Sequence, residues 1–384
     1  MASEQPSSFE DALPGSLLTL DFAHPDRAAD QVRGFSRRYP IDAIQGVDDD
    51  TALLAAVLAL ALGLPANPVA ALEAARDKHR QRAVLARHGV RVPRFGLHRL
   101  EDDLDAIAQA APYPCVVKPL RLSASRGVIR ANTPWEFLAA VRRLAGILAQ
   151  PDVVAACGES IGEFLVEEYV PGVEVALEAL LVGGQLRPLA LFDKPDPLEG
   201  PFFEETIYVV PSGLPAAAQQ AVVETAERAA KALGLERGPI HAELRWNEAG
   251  AWLIELAARS IGGRCSAVLR FADGGTLEEL VLREALGLPL GTMARQAEAA
   301  SVMMIPVPGP GVLREIAGVD EARAVPGIED VVITAHRGQE LVPWPEGSRY
   351  PGFIFARGGR PEDAVAAVRA AHRRLRFVRD PLTD

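Results

Sequence analysis

Apolar and polar residues alternate along two neighbouring segments, 240–246 and 252–256. This period-two pattern predicts two strands that each bury one face. The residues between them, 248–250, suit a three-residue hairpin loop that ends in a glycine at positive φ. A loop of that length predicts that Trp246 pairs with Trp252 on the core side of an antiparallel hairpin.

The other face of the same hairpin is charged. The predicted register sets Glu243 opposite Glu255, with His241 and Arg259 on that face. Carboxylates that face each other on neighbouring strands repel. A divalent cation between them removes the repulsion and explains the arrangement. The alternative interpretation is a solvated face whose charge is neutralised by Arg245, Arg259 and His241.

Strand-like and helix-like segments alternate along the rest of the chain, which predicts an α/β protein. Predicted strands cover residues 17–22, 41–47, 115–119, 164–170, 173–192, 302–306, 331–335 and 353–356. Predicted helices cover residues 52–64, 75–88, 215–233 and 277–286, with further helices opening at Thr133 and after Pro361. The acidic triplet 48–50 either binds a ligand at the carboxyl end of a strand or caps the following helix.

Length and charge restrict the class of protein. A chain of 384 residues is too long for one compact core, so two or three domains are expected. A net charge of −11 argues against nucleic-acid or anionic-membrane partners. Three cysteines without metal-binding spacing fit a reducing cytosol. The longest apolar run is too short to span a bilayer and no secretion signal is evident, so we expect a cytoplasmic protein.

Three further groups of residues carry candidate chemistry. Lys118 ends an apolar strand beside a small, hydroxyl-rich loop at 121–128, a pattern that suits a phosphate cradle or a surface lysine. The segment 166–174 places carboxylates on both sides of a Pro-Gly hinge, which suits an adenine and ribose site or a charged hairpin. Lys194 precedes a Pro- and Gly-rich segment at 195–206 that could close over a ligand.

The order of these groups resembles the ATP-grasp superfamily, and the finer detail resembles its L-amino-acid ligase branch. The motifs that carry the resemblance are VVKPLRLSASRGV (116–128), FDKPDPLEGPFFEE (192–205), HAELR (241–245), IELAARSIGG (254–263) and VMMIPVPGPGVL (302–313). They cover most of the chain from about residue 17 onward. Other branches tend to have an asparagine where this chain has Ala257, which leaves the number of metal ions open.

The resemblance implies a set of site residues and two cofactors, ATP and Mg²⁺, with Mn²⁺ as the alternative ion. The phosphates would be bound by Lys78, Lys118, Lys194 and the loop residues Ser123, Ser125, Arg126 and Gly127. The nucleoside would be bound by Glu167, Glu168, Val170 and Glu174, the last at the ribose. The metal would be bound by Glu243 and Glu255. The catalytic residues would be Arg259, which holds the reacting carboxylate or oxyanion, with His241 and Lys194.

The resemblance also implies an overall organisation and an activity. We expect an N-terminal parallel α/β domain at 1–95 that lacks its first β-α unit, a two-lobed ATP-grasp domain at 96–295 and a small C-terminal α+β domain at 296–384. The expected activity is ATP-dependent joining of a carboxylate, such as an amino acid, to an amine by way of an acyl phosphate. The alternatives are a phosphotransferase on the same fold and a non-catalytic nucleotide-binding protein. A homodimer is expected only by family resemblance.

Overall fold

The computed structural model of the protein describes residues 1–3 and 17–382. The described residues up to 87 form two short parallel strands and four helices. These are β1 (Ala2–Ser3), β2 (Leu18–Thr19), α1 (Pro25–Ser36), α2 (Asp49–Ala61), α3 (Val69–Arg76) and α4 (Lys78–Arg87). Helices α1 and α2 pack against each other around a small apolar cluster. None of the described helices is both long and apolar enough to cross a bilayer.

The predicted strand at 41–47 is wrong, because the structure places that segment in an irregular loop. Asp48, the first residue of the acidic triplet, caps helix α2. The side chain of Asp48 accepts a hydrogen bond from the Thr51 N–H at 2.7 Å, and the Thr51 hydroxyl accepts one from the Asp48 N–H at 3.1 Å. This reciprocal capping box satisfies backbone donors at the start of α2.

The next part of the chain forms a small lobe with a four-stranded antiparallel sheet in the order β3-β6-β4-β5. Its elements are β3 (Phe95–Arg99), α5 (Leu104–Ala110), β4 (Cys115–Pro119), β5 (Ile129–Ala131), α6 (Pro134–Leu148), α7 (Pro151–Cys157) and β6 (Glu163–Glu168), with a 3₁₀ turn at Gly158–Gly162. Helix α6 buries its apolar face against this sheet. The predictions of β4 and of a helix capped by Thr133 are confirmed.

The remaining chain forms a larger sheet and a small one. The elements up to residue 285 are β7 (Val173–Val182), β8 (Gln185–Asp193), β9 (Ile207–Val210), α8 (Ala216–Leu233), β10 (Gly238–Asn247), β11 (Gly250–Ala257) and α9 (Leu277–Ala285), with a 3₁₀ turn at Cys265–Val268. The last elements are β12 (Ala299–Met304), β13 (Gly311–Ala317), α10 (Val319–Arg323), β14 (Ile328–Ile333), β15 (Glu340–Leu341), β16 (Gly352–Gly358), α11 (Pro361–His372) and β17 (Arg376–Asp380).

The larger sheet has eight strands in the order β11-β10-β7-β8-β9-β12-β16-β14. Helices α3, α4 and α8 cover one face of its first half, and α9 packs on the other face. The pairing of β9 with β12 carries the sheet across residue 295, where a domain boundary is predicted. The predicted domains therefore share one sheet, and their bounds stay a prediction.

The hairpin of β10 and β11 differs from its prediction in its turn and agrees in its central pair. Asn247 pairs with Gly250, so the turn has two residues, and Trp246 pairs with Ala251 rather than with Trp252. A bulge then inserts Ile254 as an extra residue in β11 and brings Glu243 opposite Glu255. The predicted pairing of the two carboxylates is confirmed, although a bulge produces it rather than the loop length.

The predicted helix at 75–88 is two helices, α3 and α4. Asp77 interrupts them with extended backbone, at φ −101° and ψ 113°, and its side chain caps α4 by accepting from the Arg80 N–H at 2.9 Å. Lys78 thereby becomes the first residue of α4. Its N–H donates to the Leu120 carbonyl at 2.9 Å, which ties the helix start to the chain after β4.

Candidate active site

A cavity of about 460 Å³ lies between the small lobe, the larger sheet and the start of α2. Twelve of the predicted site residues line it: Lys78, Lys118, Ser123, Ser125, Glu167, Glu168, Val170, Glu174, His241, Glu243, Glu255 and Arg259. Arg126, Gly127 and Lys194 are not among the described residues that line it. The fold thus brings most of the predicted site together, while the role of each residue stays a prediction.

Lys78 enters the cavity from the start of α4. Its Nζ lies 2.8 Å from the Leu122 carbonyl oxygen and 3.0 Å from Glu255 Oε1. The side chain is largely buried, so the ammonium is held in place by these two acceptors. It therefore lies between the hydroxyl-rich loop and one of the two predicted metal ligands, where phosphate oxygens could replace either contact.

Lys118 ends β4 and is also buried. Its Nζ lies 2.5 Å from Glu167 Oε2, and Arg82 Nε donates to Glu167 Oε1 at 2.7 Å. Burial lowers the pKa of Lys118 to about 8, although the Glu167 carboxylate opposes the shift. Glu167 therefore orients a lysine and an arginine in this structure; its predicted contact with adenine is a separate proposal.

Lys194 lies behind the cavity surface among three carboxylates. Its Nζ lies 2.8 Å from Glu174 Oε1 and 3.0 Å from Glu243 Oε1, and it also pairs with Glu205. Tyr208 donates to Glu205 at 2.7 Å. Burial raises the pKa of Glu205 to about 7 despite the nearby ammonium. In this arrangement Lys194 neutralises the cluster rather than projecting toward a phosphate.

Glu243 and Glu255 face each other across the hairpin and both line the cavity. Each is balanced by a lysine, Glu243 by Lys194 and Glu255 by Lys78. Carboxylate oxygens are the ligands that Mg²⁺ takes in nucleotide sites, where it keeps phosphate oxygens and waters as further ligands. The donor set therefore fits one divalent cation bound together with a nucleotide. Oxygens of Glu174, Glu205 and Glu243 also lie within 4.8 Å of one another, around the ammonium of Lys194.

His241 is buried beside the hairpin carboxylates. Its Nδ1 lies 2.5 Å from Glu178 Oε1, and its Nε2 lies 3.5 Å from Glu243 Oε1. Burial opposes a charge on the ring, but the two carboxylates outweigh it and raise the pKa of His241 to about 9. Glu178 also accepts from the Ile261 N–H at 3.0 Å, so one buried carboxylate fixes both the imidazole and the chain beyond β11.

Arg259 lies after β11 and is paired with the N-terminal part of the chain. Its Nη2 lies 2.9 Å from Asp49 Oδ2, and its Nε donates to the same oxygen at 3.0 Å. Asp49 is the second residue of the acidic triplet. It thus orients the guanidinium at the cavity wall, and both residues line the cavity.

The hydroxyl-rich loop is held by residues 344–346, which we call the latch. Trp344 Nε1 donates to the Ala124 carbonyl at 2.7 Å, and the Gly127 N–H donates to the Pro345 carbonyl at 2.9 Å. Arg143 makes a two-pronged ion pair with Glu346, at 2.5 and 2.8 Å. The latch thereby fixes a loop whose backbone has positive φ at residues 122, 124, 125 and 127.

Arg126 points away from the cavity. Its Nη1 lies 2.6 Å from Asp152, and its Nε donates to the Glu346 carbonyl at 2.9 Å. Gly127 contributes its N–H to the latch rather than to the cavity. In this structure these two predicted phosphate ligands instead anchor the loop to its neighbours.

The hinge between β6 and β7 is fixed by a backbone hydrogen bond and by the guanidinium of Arg245. The Glu168 N–H donates to the Arg94 carbonyl at 2.9 Å, so that donor is already occupied. Arg245 donates to the Val170 carbonyl at 2.8 Å and to Glu174 at 2.8 Å, and it also bonds the Leu198 carbonyl in the predicted lid. One buried arginine therefore links the hinge, the predicted ribose ligand and the lid.

The sequence analysis did not predict that Arg82, Glu178, Glu205 and Tyr208 belong to the site. It also did not predict that Arg245 is buried there. For two of these residues the sequence contains evidence that could have identified them. Arg82 lies four residues after Lys78 and so shares its helix face. Glu178 lies in the middle of the largely apolar strand β7, where a buried carboxylate requires a partner.

Three protein-family models together match most of the length of the chain. Residues 2–66 match the ATP-grasp N-terminal domain, 111–268 the ATP-grasp domain, and 303–380 the L-amino acid ligase C-terminal domain 2. The crystal structure of the L-amino acid ligase from Bacillus licheniformis superposes with a TM-score of 0.77 at 28% identity, covering 95% of this chain and 87% of that one. The chain belongs to the ATP-grasp superfamily. The predicted resemblance to its L-amino-acid ligase branch is confirmed.

Two curated relatives of this ATP-grasp chain have named activities. Alanine–anticapsin ligase of Bacillus subtilis is 28% identical over 68% of this chain and 60% of its own length. Carnosine synthase 1 of Gallus gallus is 31% identical over 74% of this chain and 32% of its own length. The chain thus spans less than two thirds of these relatives.

Proposed function

We propose that the protein is an ATP-dependent ligase that joins a carboxylate to an amine, with ADP and phosphate as the other products. The observation that carries this proposal is the single cavity that contains Lys78, Lys118, Arg259 and the facing pair Glu243 and Glu255. The L-amino acid ligase C-terminal domain and the named relatives support it.

A carboxylate acylates an amine only after one of its oxygens becomes a good leaving group, and phosphorylation by ATP achieves this. Phosphoryl transfer depends on positioning and on neutralising charge. Lys78 and Lys118 would bind the nucleotide phosphates. Glu243 and Glu255 would hold Mg²⁺, which when bound neutralises phosphate charge.

Arg259 would bind the substrate carboxylate and then the oxyanion that forms when the amine attacks. A guanidinium suits both tasks because its parallel N–H groups match two oxygens and it stays charged at any relevant pH. Asp49 keeps that guanidinium at the cavity wall before substrate arrives.

The acyl phosphate has to meet the amine before water reaches it, so the cavity must close. In our proposal two segments act as lids. One is the loop at 122–127, which the latch holds, and the other is the segment 195–206, which Arg245 contacts. Because one relative is named for alanine, alanine is the first carboxylate to test.

The test is phosphate release from Mg-ATP over the common L-amino acids, alone and in pairs, with the products identified by mass spectrometry. A ligase releases phosphate and forms an amide only when both substrates are present. Hydroxylamine offered in place of the amine traps the activated carboxylate as a hydroxamate, which identifies the carboxylate substrate separately.

Two outcomes would contradict the proposal. ADP formation with one substrate and a stable phosphorylated product would indicate a phosphotransferase. Tight binding of Mg-ATP without ADP formation under any pairing would indicate a nucleotide-binding protein. A Glu255→Gln variant is the matched control, since it preserves the shape of the side chain and removes the charge of a proposed metal ligand.

A further inference from the structure

A second pocket, of about 200 Å³, opens beside the main cavity. Lys78, Ser123 and Glu255 belong to the wall that the two have in common. In the proposed reaction the transferred phosphoryl group would lie at this wall, because Lys78 binds phosphate and Glu255 holds the metal. From there the second pocket continues to Arg121 and to Ser348 of the C-terminal part. It therefore begins where inorganic phosphate would be formed.

The charged residues that line the second pocket are paired, with one exception. The ion pairs are Lys78 with Glu255, Arg76 with Asp50, Arg126 with Asp152, and Arg259 with Asp49. The exception is Arg121, whose Nε is buried and whose guanidinium forms no hydrogen bond or ion pair with any described residue. A buried charged donor without a partner costs free energy. A bound anion would remove that cost without displacing any of the existing pairs.

The lining of the pocket suits a tetrahedral anion. The guanidinium fork of Arg121 matches two oxygens of one phosphate in parallel hydrogen bonds. Ser123 and Ser348 line the same pocket, and their hydroxyls can donate to further oxygens. A phosphate has enough oxygens to use all three residues, whereas the two oxygens of a carboxylate are already used by the fork.

The position of the pocket gives such an anion a source and an outlet. In the proposed reaction phosphate forms in the main cavity under the two lids, one held by the latch and the other contacted by Arg245. While ADP is bound and the lids are closed, the second pocket is the space that adjoins the new phosphate. Its lining includes Asp50, whose side chain is 64% exposed, so the pocket reaches solvent. Product release limits turnover in many enzymes with lids, and a separate outlet would ease it.

We infer that the second pocket is a site for inorganic phosphate, in which Arg121 receives this product after the amide has formed, so that phosphate leaves by a route separate from that of ADP. This inference rests on the proposed ligase function. Attack of the neutral amine forms the C–N bond and breaks the bond between the carbonyl carbon and a phosphate oxygen. That oxygen keeps the electron pair of the broken bond, and the phosphate gains the proton that the amine loses. The family resemblance implies no role for Arg121.

The first experiment measures the binding of inorganic phosphate by calorimetry, with the protein saturated with ADP and Mg²⁺. We expect Arg121→Gln to weaken phosphate binding about tenfold or more and to leave the affinity for ADP unchanged. Arg121→Lys keeps the charge but loses the fork, so it should recover part of the affinity. Arg142→Gln, which removes the same charge from an exposed helix position, is the matched control.

Three results would overturn the inference. Equal phosphate affinity in wild type and Arg121→Gln, or no phosphate binding to either, would show that Arg121 binds no phosphate. A parallel loss of ADP affinity in the variant would assign Arg121 to the nucleotide. Acetate binding as tight as phosphate binding, and lost in the same variant, would make the pocket a carboxylate site.

The second experiment is a crystal structure of the wild-type protein with ADP, Mg²⁺ and inorganic phosphate. Phosphate within hydrogen-bond distance of the Arg121 guanidinium supports the site. Phosphate bound only beside the β-phosphate of ADP, or not at all, refutes it. Neither experiment needs turnover, so the absence of amide and hydroxamate formation would refute the ligase itself and leave the test of the phosphate site readable.

Discussion

Lys118 has a buried ammonium next to a carboxylate. A change in its protonation should therefore report on nucleotide binding. Its pKa lies near 8 in the free protein because burial disfavours the charge. Phosphate oxygens favour the ammonium and would raise that pKa. At about pH 8.5 we therefore expect ADP binding to take up a fraction of a proton, and ADP affinity to fall as pH rises above 8. Well below pH 8 the lysine is already charged, and this dependence disappears.

Calorimetry of ADP binding in two buffers of different ionisation enthalpy measures the proton uptake directly. Lys118→Arg is the control, since a guanidinium remains charged at this pH and should show no uptake from this position. Identical uptake in the variant and in wild type would assign the proton to another group.

Arg259 should matter more for chemistry than for nucleotide binding. Arg259→Lys keeps the charge and loses the two-pronged geometry, so we expect hydroxamate formation to fall about 100-fold with little change in ADP affinity. Asp49→Asn should have a smaller effect, because it weakens only the contact that orients the guanidinium. Full hydroxamate formation in Arg259→Ala would refute the proposed mechanism.

At the scale of elements, the latch connects the last part of the chain to the loop over the proposed phosphates. Trp344→Phe keeps the ring packed against Tyr350 and removes the N–H that donates to Ala124. We expect the KM for ATP to rise severalfold, and the amide hydrogens of 122–128 to exchange faster, because the loop loses an anchor. Trp135→Phe, at an exposed position, is the control. Unchanged exchange in Trp344→Phe would show that the latch does not order the loop.

The elements also show what the sequence could predict. Strand β4 and the helix after Thr133 followed from the apolar pattern and the capping residues. The pairing of Glu243 with Glu255 was predicted from a three-residue loop, and it is correct because the bulge compensates for a turn of two residues. The break at Asp77 was missed because its effect depends on a local cap that competes with a continuous helical pattern. The bulge at Ile254 was missed because an apolar residue fits either face of a strand.

For the site, too, some features could be predicted from the sequence and others could not. Lys78 and Arg259, both implied by the resemblance, line the cavity, but the sequence did not predict their ion pairs with Glu255 and Asp49. Those contacts join segments far apart in sequence, and a single sequence contains no signal for such distances. The resemblance places Lys194 at the phosphates, and that role stays a prediction. The sequence did not predict its ion pairs with Glu205 of its own segment and with Glu174 and Glu243 of other strands.

At the scale of the whole molecule, the larger sheet predicts that the protein cannot be divided at residue 295. A fragment of residues 1–295 would expose the edge of β9 and the apolar residues that β12, β16 and α11 cover. We expect it to aggregate or to lack a cooperative unfolding transition, because an open edge beside apolar surface invites association. Circular dichroism during thermal unfolding, compared with the full chain, tests this. A cooperative transition in the fragment would restore the predicted boundary.

The bulge at Ile254 has a consequence for protein engineering. Because it lies between the turn and the carboxylate pair, and because β10 is also held in register by β7, the position of Glu243 does not depend on the length of the turn at 248–249. That turn is thus a suitable insertion point for a fluorophore-binding tag or a surface tether. Such a label would be attached to the end of β10, the strand that contains Glu243, without changing the position of that carboxylate.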